Sequence, residues 1–340
     1  MPDEISRPTL SDPVPRRVVV ATHGHCFDGL CSAVMFTRLL QHVHAGEKLT
    51  FAYYAAGYGP GQNGVDPALL KGDINAILDF RFSVADRLSW YFDHHVSAFP
   101  TVADRQTYDT SVREHPGAER RMFHDGAYSS CTKLIADVGR EQFGLDSAPM
   151  AELVRWADLI DSASFPNAEM AVARREPELQ LMTVVEHMGN DAFLMETVPR
   201  LLTEPLSEVA RAKEVQAAYL PMQVGHERFV EDVKRAAVVV GSVVLVDLTG
   251  ELLEVAGKFV TYALFPASAY SVLVTRSRSK CKISIGYNPW SNLPRRHNIA
   301  EICERHGGGG HPVVGAVSLP VADVDRARSL AREIATELGG

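Results

Sequence analysis

The chain has 340 residues, of which 46% are hydrophobic, and this length suits two globular domains with full cores. Its formal net charge of −8 argues against a long nucleic-acid duplex as the main partner, because such partners usually need a basic protein face. This charge does not exclude a short anionic substrate. The five cysteines are scattered and form no Cys-x-x-Cys pair, so neither a disulfide framework nor a zinc ribbon is indicated.

The sequence also bears on location. No segment near the N-terminus has the pattern of a secretory signal, and no apolar run is long enough to span a bilayer. We therefore expect a cytoplasmic protein without a membrane partner. Composition does not decide the oligomeric state, and a homodimer stays open.

The first part of the chain alternates strand-like and helical patterns. Residues 1–17 are rich in proline, serine and charge, which is typical of a disordered arm. A strand at 18–22, a loop with glycine and a buried helix at 30–40 then form the first unit of a doubly wound sheet. Further strands are predicted at 50–56, 73–79 and 88–92. The polar stretch 101–121 has no clear period, and we expect a loop or a mobile flap there.

The middle of the chain is predicted to be helical. Residues 129–138 form a helix with a serine cap, and 150–158 form a second helix. The long segment 178–234 is helical in pattern, with few glycines. Short β-rich runs then lie at 238–240, 243–246, 270–275 and 281–285, with helices at 298–306 and 321–338.

These patterns predict an α/β protein in three parts after the disordered arm. A parallel, doubly wound sheet domain spans 18–177, a helical connector spans 178–235, and a smaller α/β domain spans 236–340. Crossovers between the parallel strands should be right-handed.

Polar residues follow three of the predicted strands directly. They are His23, His25 and Asp28 after the first strand, Asp79 at the end of the third, and Asp93, His94 and His95 after the fourth. Parallel strands would bring these groups together at one sheet edge, where open α/β sheets bind ligands. Carboxylates and imidazoles suit either a metal site or acid–base chemistry.

Two motifs give the chain a family resemblance. The triplet Asp93-His94-His95 and the later run 307–311, four glycines and a histidine, resemble the DHH phosphoesterase superfamily with a C-terminal DHH-associated domain. That superfamily holds nanoRNases, 3′-phosphoadenosine 5′-phosphate phosphatases, cyclic-dinucleotide phosphodiesterases and single-strand exonucleases. The resemblance spans about 18–338 and implies a parallel α/β domain, a helical connector and a smaller α/β domain, with the active site in the cleft between the domains.

The resemblance also implies a metal-dependent phosphoesterase that acts on short oligonucleotides or small nucleotides. Two ions, Mn²⁺ or Mg²⁺, would neutralise the phosphoryl oxygens and activate the attacking water. Asp79 would bridge the two ions, and Asp28 and His94 would hold the second. That ion would take one further acid, either Asp158 or Asp161, and both stay open with Asp161 preferred.

The remaining motif residues have roles outside metal binding in this resemblance. His95 would contact the phosphate and assist the leaving oxygen, and Asp93 would orient a histidine. The glycine run would bind substrate through Gly308, Gly309, Gly310 and His311. Successive glycines let backbone N–H groups converge on an anion, although a flexible end to the preceding helix is an alternative.

The first motif departs from the family pattern. Where the family usually carries Asp-x-Asp-Gly after a histidine, this chain has Cys26 at the position of the first aspartate. His23 or His25 could then take up the first ion. Two other functions therefore stay open: a single-strand exonuclease, or a nucleotide-binding protein whose catalysis is weakened by Cys26.

Overall fold

The computed structural model describes residues 14–58, 64–119, 121–253, 257 and 259–340, and the chain divides into two compact units. The first unit comprises Met1–Ser164 and Gln180–Gln216, and the second comprises Phe165–Leu179 and Ala217–Gly340. The predicted connector at 178–235 is thus shared between the units. The predicted disordered arm lies mostly outside the described residues, and its last two residues begin the first strand.

The first unit contains one parallel sheet. Its strands are β1 (Arg16–His23), β2 (Leu49–Ala56), β3 (Ile74–Leu78), β4 (Trp90–Asp93) and β5 (Met122–His124). They lie in the order β2-β1-β3-β4-β5, and each neighbouring pair is parallel. The order of strands reverses between β1 and β3, and the crevice beyond the carboxyl ends of such strands is where α/β sheets bind ligands. The predicted parallel N-terminal sheet is confirmed.

Nine α-helices precede the second sheet in the described part of the chain, and most of them belong to the first unit. They are α1 (Phe27–Val43), α2 (Val102–Glu114), α3 (Cys131–Phe143), α4 (Ala151–Asp161), α5 (Ala168–Ala173), α6 (Pro177–Met188), α7 (Asp191–Leu201), α8 (Leu206–Ala210) and α9 (Lys213–Ala236). α1 packs against α3 and α4 and is buried along most of its length. β3 and β4 are buried at every position, because a parallel sheet is covered on both faces.

The prediction of a loop or flap at 101–121 is wrong. Most of this stretch is α2, which begins with a capping box in which Thr101 and Asp104 bond each other's backbone N–H groups. Tyr108 is the one fully buried residue of α2, so the helix has almost no apolar stripe to reveal its period. The short edge strand β5, which follows it, was also not predicted.

The second unit contains a mixed sheet. Its strands are β6 (Ala237–Val240), β7 (Val243–Leu252), β8 (Tyr270–Arg276), β9 (Lys280–Tyr287), β10 (Gly309–His311) and β11 (Val314–Pro320). The order is β10-β11-β9-β8-β7-β6, in which β7 and β8 are parallel and the other neighbours are antiparallel. Besides α5 and most of α9, this unit contains α10 (Val260–Leu264), α11 (Ile299–Arg305) and α12 (Val324–Gly339). α12 packs its apolar face on this sheet, which confirms the predicted second α/β domain.

Part of the glycine run forms an edge strand, which the sequence did not predict. A Cβ on Gly308 would lie 2.2 Å from the carbonyl oxygen of Ala316, and one on Gly310 would lie 2.3 Å from that of Val314. These two glycines therefore allow the close backbone approach of β10 to β11. Gly309, in contrast, has open space where a Cβ would lie, with no described atom other than those of its chain neighbours within 4 Å. A run of glycines shows no alternation, so the sequence concealed the strand.

Within the described ranges, no helix combines the length and the apolar character needed to cross a membrane.

Candidate active site

The candidate site lies at the carboxyl ends of β1, β3 and β4. His23 is the last residue of β1, Asp79 follows β3 directly, and Asp93 ends β4. Asp79 has a left-handed φ of +53°, and its backbone N–H donates to the carbonyl oxygen of Phe92 at 2.9 Å. This bend turns the carboxylate toward the switch point of the sheet, where the sequence placed it.

Asp79 is a buried acid at the centre of the site. It is 1% exposed, and neither carboxylate oxygen has a hydrogen-bond partner. Oδ1 lies 3.5 Å from Nε2 of His94, and Oδ2 lies 3.6 Å from Nδ1 of His23. Burial raises the pKa of Asp79, but the imidazoles of His23 and His94 outweigh it and hold the pKa below its ordinary value. A buried, ionised and unpartnered carboxylate is what a cation site requires.

His94 presents one nitrogen to three carboxylates. Its Nδ1–H donates to the carbonyl oxygen of Tyr128 at 3.1 Å, which leaves Nε2 as the ligand atom. Nε2 is buried without a hydrogen-bond partner, and it lies 3.2 Å from Asp161 and 3.9 Å from Asp28. Burial lowers the pKa of His94, but Asp79 and Asp28 raise it to about 10, because a positive ring offsets their charge. A divalent ion would take over that role and leave the ring neutral.

Asp28 joins α1 to α3 and also faces the site. Its Oδ2 accepts the N–H of Cys131 at 2.7 Å, and its Oδ1 accepts the N–H of Thr132 at 3.1 Å. These amides begin α3, where the helix favours negative charge. Burial and then the charges of Asp79 and Asp161 raise the pKa of Asp28 well above its ordinary value. Each oxygen keeps a second lone pair for a further partner.

The structure separates the two candidate acids of α4. Asp161 lies beside His94 at the end of the helix. Asp158 lies one turn earlier, and its Oδ1 accepts hydrogen bonds from the hydroxyls of Ser129 and Ser130. Asp161 therefore joins the group that could hold an ion, whereas Asp158 supports the serine that caps α3.

We expect Asp161→Asn to weaken divalent-ion binding by more than the roughly 10- to 100-fold that loss of an outer-shell partner costs. Asp158→Asn is the matched control on the same helix, and its loss should stay within that range. Calorimetric titration with Mn²⁺ measures both. Equal losses in the two variants would contradict the assignment of Asp161.

His95 and Asp93 form a second arrangement beside the carboxylates. Asp93 is fully buried, and its Oδ1 accepts from Nδ1 of His95 at 2.7 Å and from the backbone N–H of His94 at 2.9 Å. Its Oδ2 accepts from the hydroxyl of Tyr91 at 3.0 Å. The hydrogen bond with Asp93 raises the pKa of His95. The His95 side chain is 35% exposed, so its ring reaches both the buried acid and the surface.

The histidines near β1 have different positions. Ligand atoms of His23, Cys26 and Asp79 lie within 4.8 Å of one another. His25 is not in that group: it is exposed, has a φ of +54°, and donates its backbone N–H to Gly189. The structure therefore brings His23, but not His25, toward the site.

The donor atoms fit divalent ions. Three groups of potential ligands have atoms within 4.8 Å of one another: His23, Cys26 and Asp79; Asp79, His94 and His95; and Asp28, His94 and Asp161. Four atoms in these groups are buried without hydrogen-bond partners, namely Nδ1 of His23, both carboxylate oxygens of Asp79 and Nε2 of His94. Unpartnered buried groups are costly in a folded protein, and a bound cation would remove that cost.

Sequence reasoning missed the residues that support this site. The carbonyl of Tyr128 fixes the tautomer of His94, and the hydroxyl of Tyr91 holds Asp93. Tyr91 carried a signal, since residues two apart on a strand share a face. Tyr128 carried none, because any residue offers a backbone carbonyl.

The predicted substrate-binding residues lie in the second unit. Gly309, Gly310 and His311 form β10, with Gly308 immediately before it, and the three residues of β10 are exposed. Their role stays a prediction.

The parallel sheet of the first unit and the mixed sheet of the second define a two-domain α/β fold, and no protein-family model and no curated protein matches the chain. Among solved structures, it is similar to the pGpG-specific phosphodiesterase PggH from Vibrio cholerae. Sequence identity is 19% and the TM-score is 0.65, with 95% of this chain and 100% of that chain covered.

Two other solved structures show a weaker likeness. One is RecJ in complex with Mn²⁺ from Thermus thermophilus, at 13% identity and a TM-score of 0.52, with 95% of this chain and 52% of RecJ covered. The other is a DHH domain from a member of the s1p family of ribosomal proteins, at 11% identity and a TM-score of 0.50, with 96% of this chain and 88% of that chain covered. At these identities the likeness concerns the fold. At that level the resemblance to DHH proteins is confirmed.

Proposed function

We propose that the protein is a metal-dependent phosphoesterase that hydrolyses phosphate esters of short oligonucleotides or small nucleotides. The observation that carries this proposal is the set of four buried, unpartnered donor atoms on His23, Asp79 and His94, at the switch point of the parallel sheet. A bound cation would give all four atoms the partner that buried polar groups normally have.

The residues divide into two ion positions that share one acid. His23, Cys26 and Asp79 would hold the first ion, and Asp28, His94 and Asp161 would hold the second. Because both oxygens of Asp79 lack hydrogen-bond partners, this carboxylate can serve both positions. Divalent ions such as Mn²⁺ or Mg²⁺, when bound, supply charge neutralisation at the phosphoryl oxygens and lower the pKa of water.

His95 would act on the leaving oxygen. Its Nδ1–H is held by Asp93, so the other ring nitrogen, Nε2, is the one that can give a proton away. The hydrogen bond that His95 donates to Asp93 raises the pKa of His95 and favours the protonated ring that a general acid needs. Asp93 positions His95 and does not itself touch the substrate.

The glycine strand would bind the phosphate of the substrate through its backbone N–H groups, as the glycine motif implies. We expect Gly309→Val to raise KM roughly 10-fold, about 1.4 kcal/mol, with metal binding unchanged. Valine suits an extended strand, and a Cβ at Gly309 would have no described atom beyond the chain neighbours within 4 Å. The effect should therefore come from lost substrate contact.

The control for this prediction is Gly310→Ala. Its Cβ would meet the carbonyl oxygen of Val314, so this variant should lower the thermal stability of the second unit. Unchanged KM in Gly309→Val, measured by steady-state kinetics, would remove the strand from the substrate site.

The alternative of catalytic decay is weakened by the contacts around Cys26. Its thiol lies among the ligand atoms of His23 and Asp79, and the pairing of His95 with Asp93 is intact. A protein that only bound nucleotides would not need that pairing. Metal content and turnover of a short substrate distinguish the two functions.

The test is a substrate panel assayed with Mn²⁺ and with Mg²⁺. It contains linear dinucleotides, cyclic dinucleotides, 3′-phosphoadenosine 5′-phosphate and pyrophosphate, together with single strands of increasing length. The likeness to the fold of a pGpG-specific phosphodiesterase supports starting with linear dinucleotides. Turnover that falls with chain length supports the proposal, whereas turnover that rises with length would favour the exonuclease. No turnover of any substrate with bound metal would contradict both.

A further inference from the structure

The two proposed ion positions have different donor chemistry. The position at β1 offers one nitrogen, one sulfur and one carboxylate, from His23, Cys26 and Asp79. The position at α4 offers one nitrogen and two carboxylates, from His94, Asp28 and Asp161, and so has no sulfur donor.

The fold holds Cys26 at the ion position beside β1. Cys26 is the N-cap residue of α1 in an extended conformation, but its sulfur makes no capping hydrogen bond. The segment that contains Cys26 is tightly closed: a Cβ on Gly29 would lie 2.0 Å from the carbonyl oxygen of His23. Thr22 closes the same segment by donating its hydroxyl to the carbonyl of Gly29 at 2.7 Å. The thiol is thus held near the end of β1 and is not used in the helix cap.

Two other residues independently point to a ligand there. Both oxygens of Asp79, which is 1% exposed, and Nδ1 of His23 are buried and lack hydrogen-bond partners. The remaining cysteines, Cys31, Cys131, Cys281 and Cys303, belong to none of the ligand groups among the described residues. Cys26 is therefore the one thiol of the described chain placed with potential metal ligands.

We propose that His23, Cys26 and Asp79 bind a borderline divalent ion of the zinc class, Zn²⁺, Fe²⁺ or Co²⁺, through a thiolate, whereas Asp28, His94 and Asp161 bind a hard ion. Thiolate favours softer ions, and carboxylates favour Mn²⁺ and Mg²⁺. The centre would hold two unlike ions. This inference rests on the metal centre of the proposed function, but its test does not depend on turnover.

Ion binding at this position exchanges one bond for another. The S–H bond of Cys26 breaks, the sulfur lone pair binds the ion, and the proton leaves to solvent. No oxidant or reductant takes part.

Cobalt is the probe for the sulfur donor. We expect Co²⁺ added to the full-length protein to give an intense near-ultraviolet absorption band from thiolate-to-metal charge transfer. Cys26→Ser should lose the band, and Cys31→Ala, a buried thiol on the same helix, should keep it. The wild-type spectrum is informative by itself, so the test stands even if a variant fails to fold. Absence of the band in wild-type protein with bound Co²⁺ would overturn the proposal.

A competition experiment tests ion choice. Zn²⁺ exceeds Mn²⁺ in affinity at most sites, so the informative quantity is the change between variants. After dialysis against equal Zn²⁺ and Mn²⁺, elemental analysis should show Cys26→Asp shifted toward Mn²⁺ by about 10-fold or more. An unchanged ratio would overturn the proposal. Turnover with Mn²⁺ and no sulfur band would reject this inference alone, whereas a sulfur band without turnover would reject only the phosphoesterase.

Discussion

Asp79→Asn should abolish hydrolysis. We expect turnover to fall by at least about 1,000-fold, or about 4 kcal/mol in the barrier, because both oxygens of this carboxylate face ligand positions. Asparagine is the right replacement because Asp79 has a φ of +53°, a region that asparagine tolerates and alanine does not favour. The variant therefore tests the charge with little backbone strain.

The same variant should lose stabilisation by metal. An ion present at 100 times its Kd stabilises the folded state by about 2.7 kcal/mol, which raises Tm by roughly 5–10 °C in a unit of this size. Wild-type protein should show this shift with Mn²⁺, and Asp79→Asn should not. The control is Asp86→Asn, an exposed acid a few residues further along, which should keep both turnover and the shift. A normal Mn²⁺ shift in Asp79→Asn would contradict the shared-ligand assignment.

The parts of the site that the sequence could predict are those set by strand ends. Parallel strands place their carboxyl ends at one edge of the sheet. Because His23, Asp79 and His94 lie at the ends of three apolar runs, the sequence could predict that they are close together. The direction of a side chain on a helix is harder to predict from the sequence. Asp158 and Asp161 lie one turn apart, and only the contacts of Ser129 and Ser130 show which acid is engaged elsewhere.

The errors have a common physical cause. α2 buries Tyr108 alone, and the glycine strand β10 has almost no side chains, so neither element shows the hydrophobic period on which prediction depends. In both elements, the identity and spacing of a few residues still indicate the structure. The capping box of Thr101 and Asp104 marks where α2 begins. The glycines at 308 and 310 are spaced by two, as residues on one face of a strand are.

His94 and His95 are adjacent in sequence, but we expect their substitutions to have different effects on metal binding. His94→Gln removes the nitrogen that lies among Asp28, Asp79 and Asp161, so metal binding and turnover should fall together. His95→Gln should keep the metal and lower kcat by roughly 100- to 10,000-fold, the range for loss of a general acid. Each variant is the control for the other, because both place glutamine in the same motif.

The leaving group decides whether His95 is an acid or only a phosphate contact. A general acid matters most when the leaving oxygen is basic, as in a ribose alcohol, and least when it is a good leaving group such as p-nitrophenolate. The kcat deficit of His95→Gln should therefore shrink by at least about 10-fold on bis(p-nitrophenyl) phosphate relative to a dinucleotide. Asp93→Asn should show the same pattern, because Asp93 acts through Nδ1 of His95. A deficit of equal size on both substrates, with Mn²⁺ still bound, would mean that His95 binds the phosphate without moving a proton.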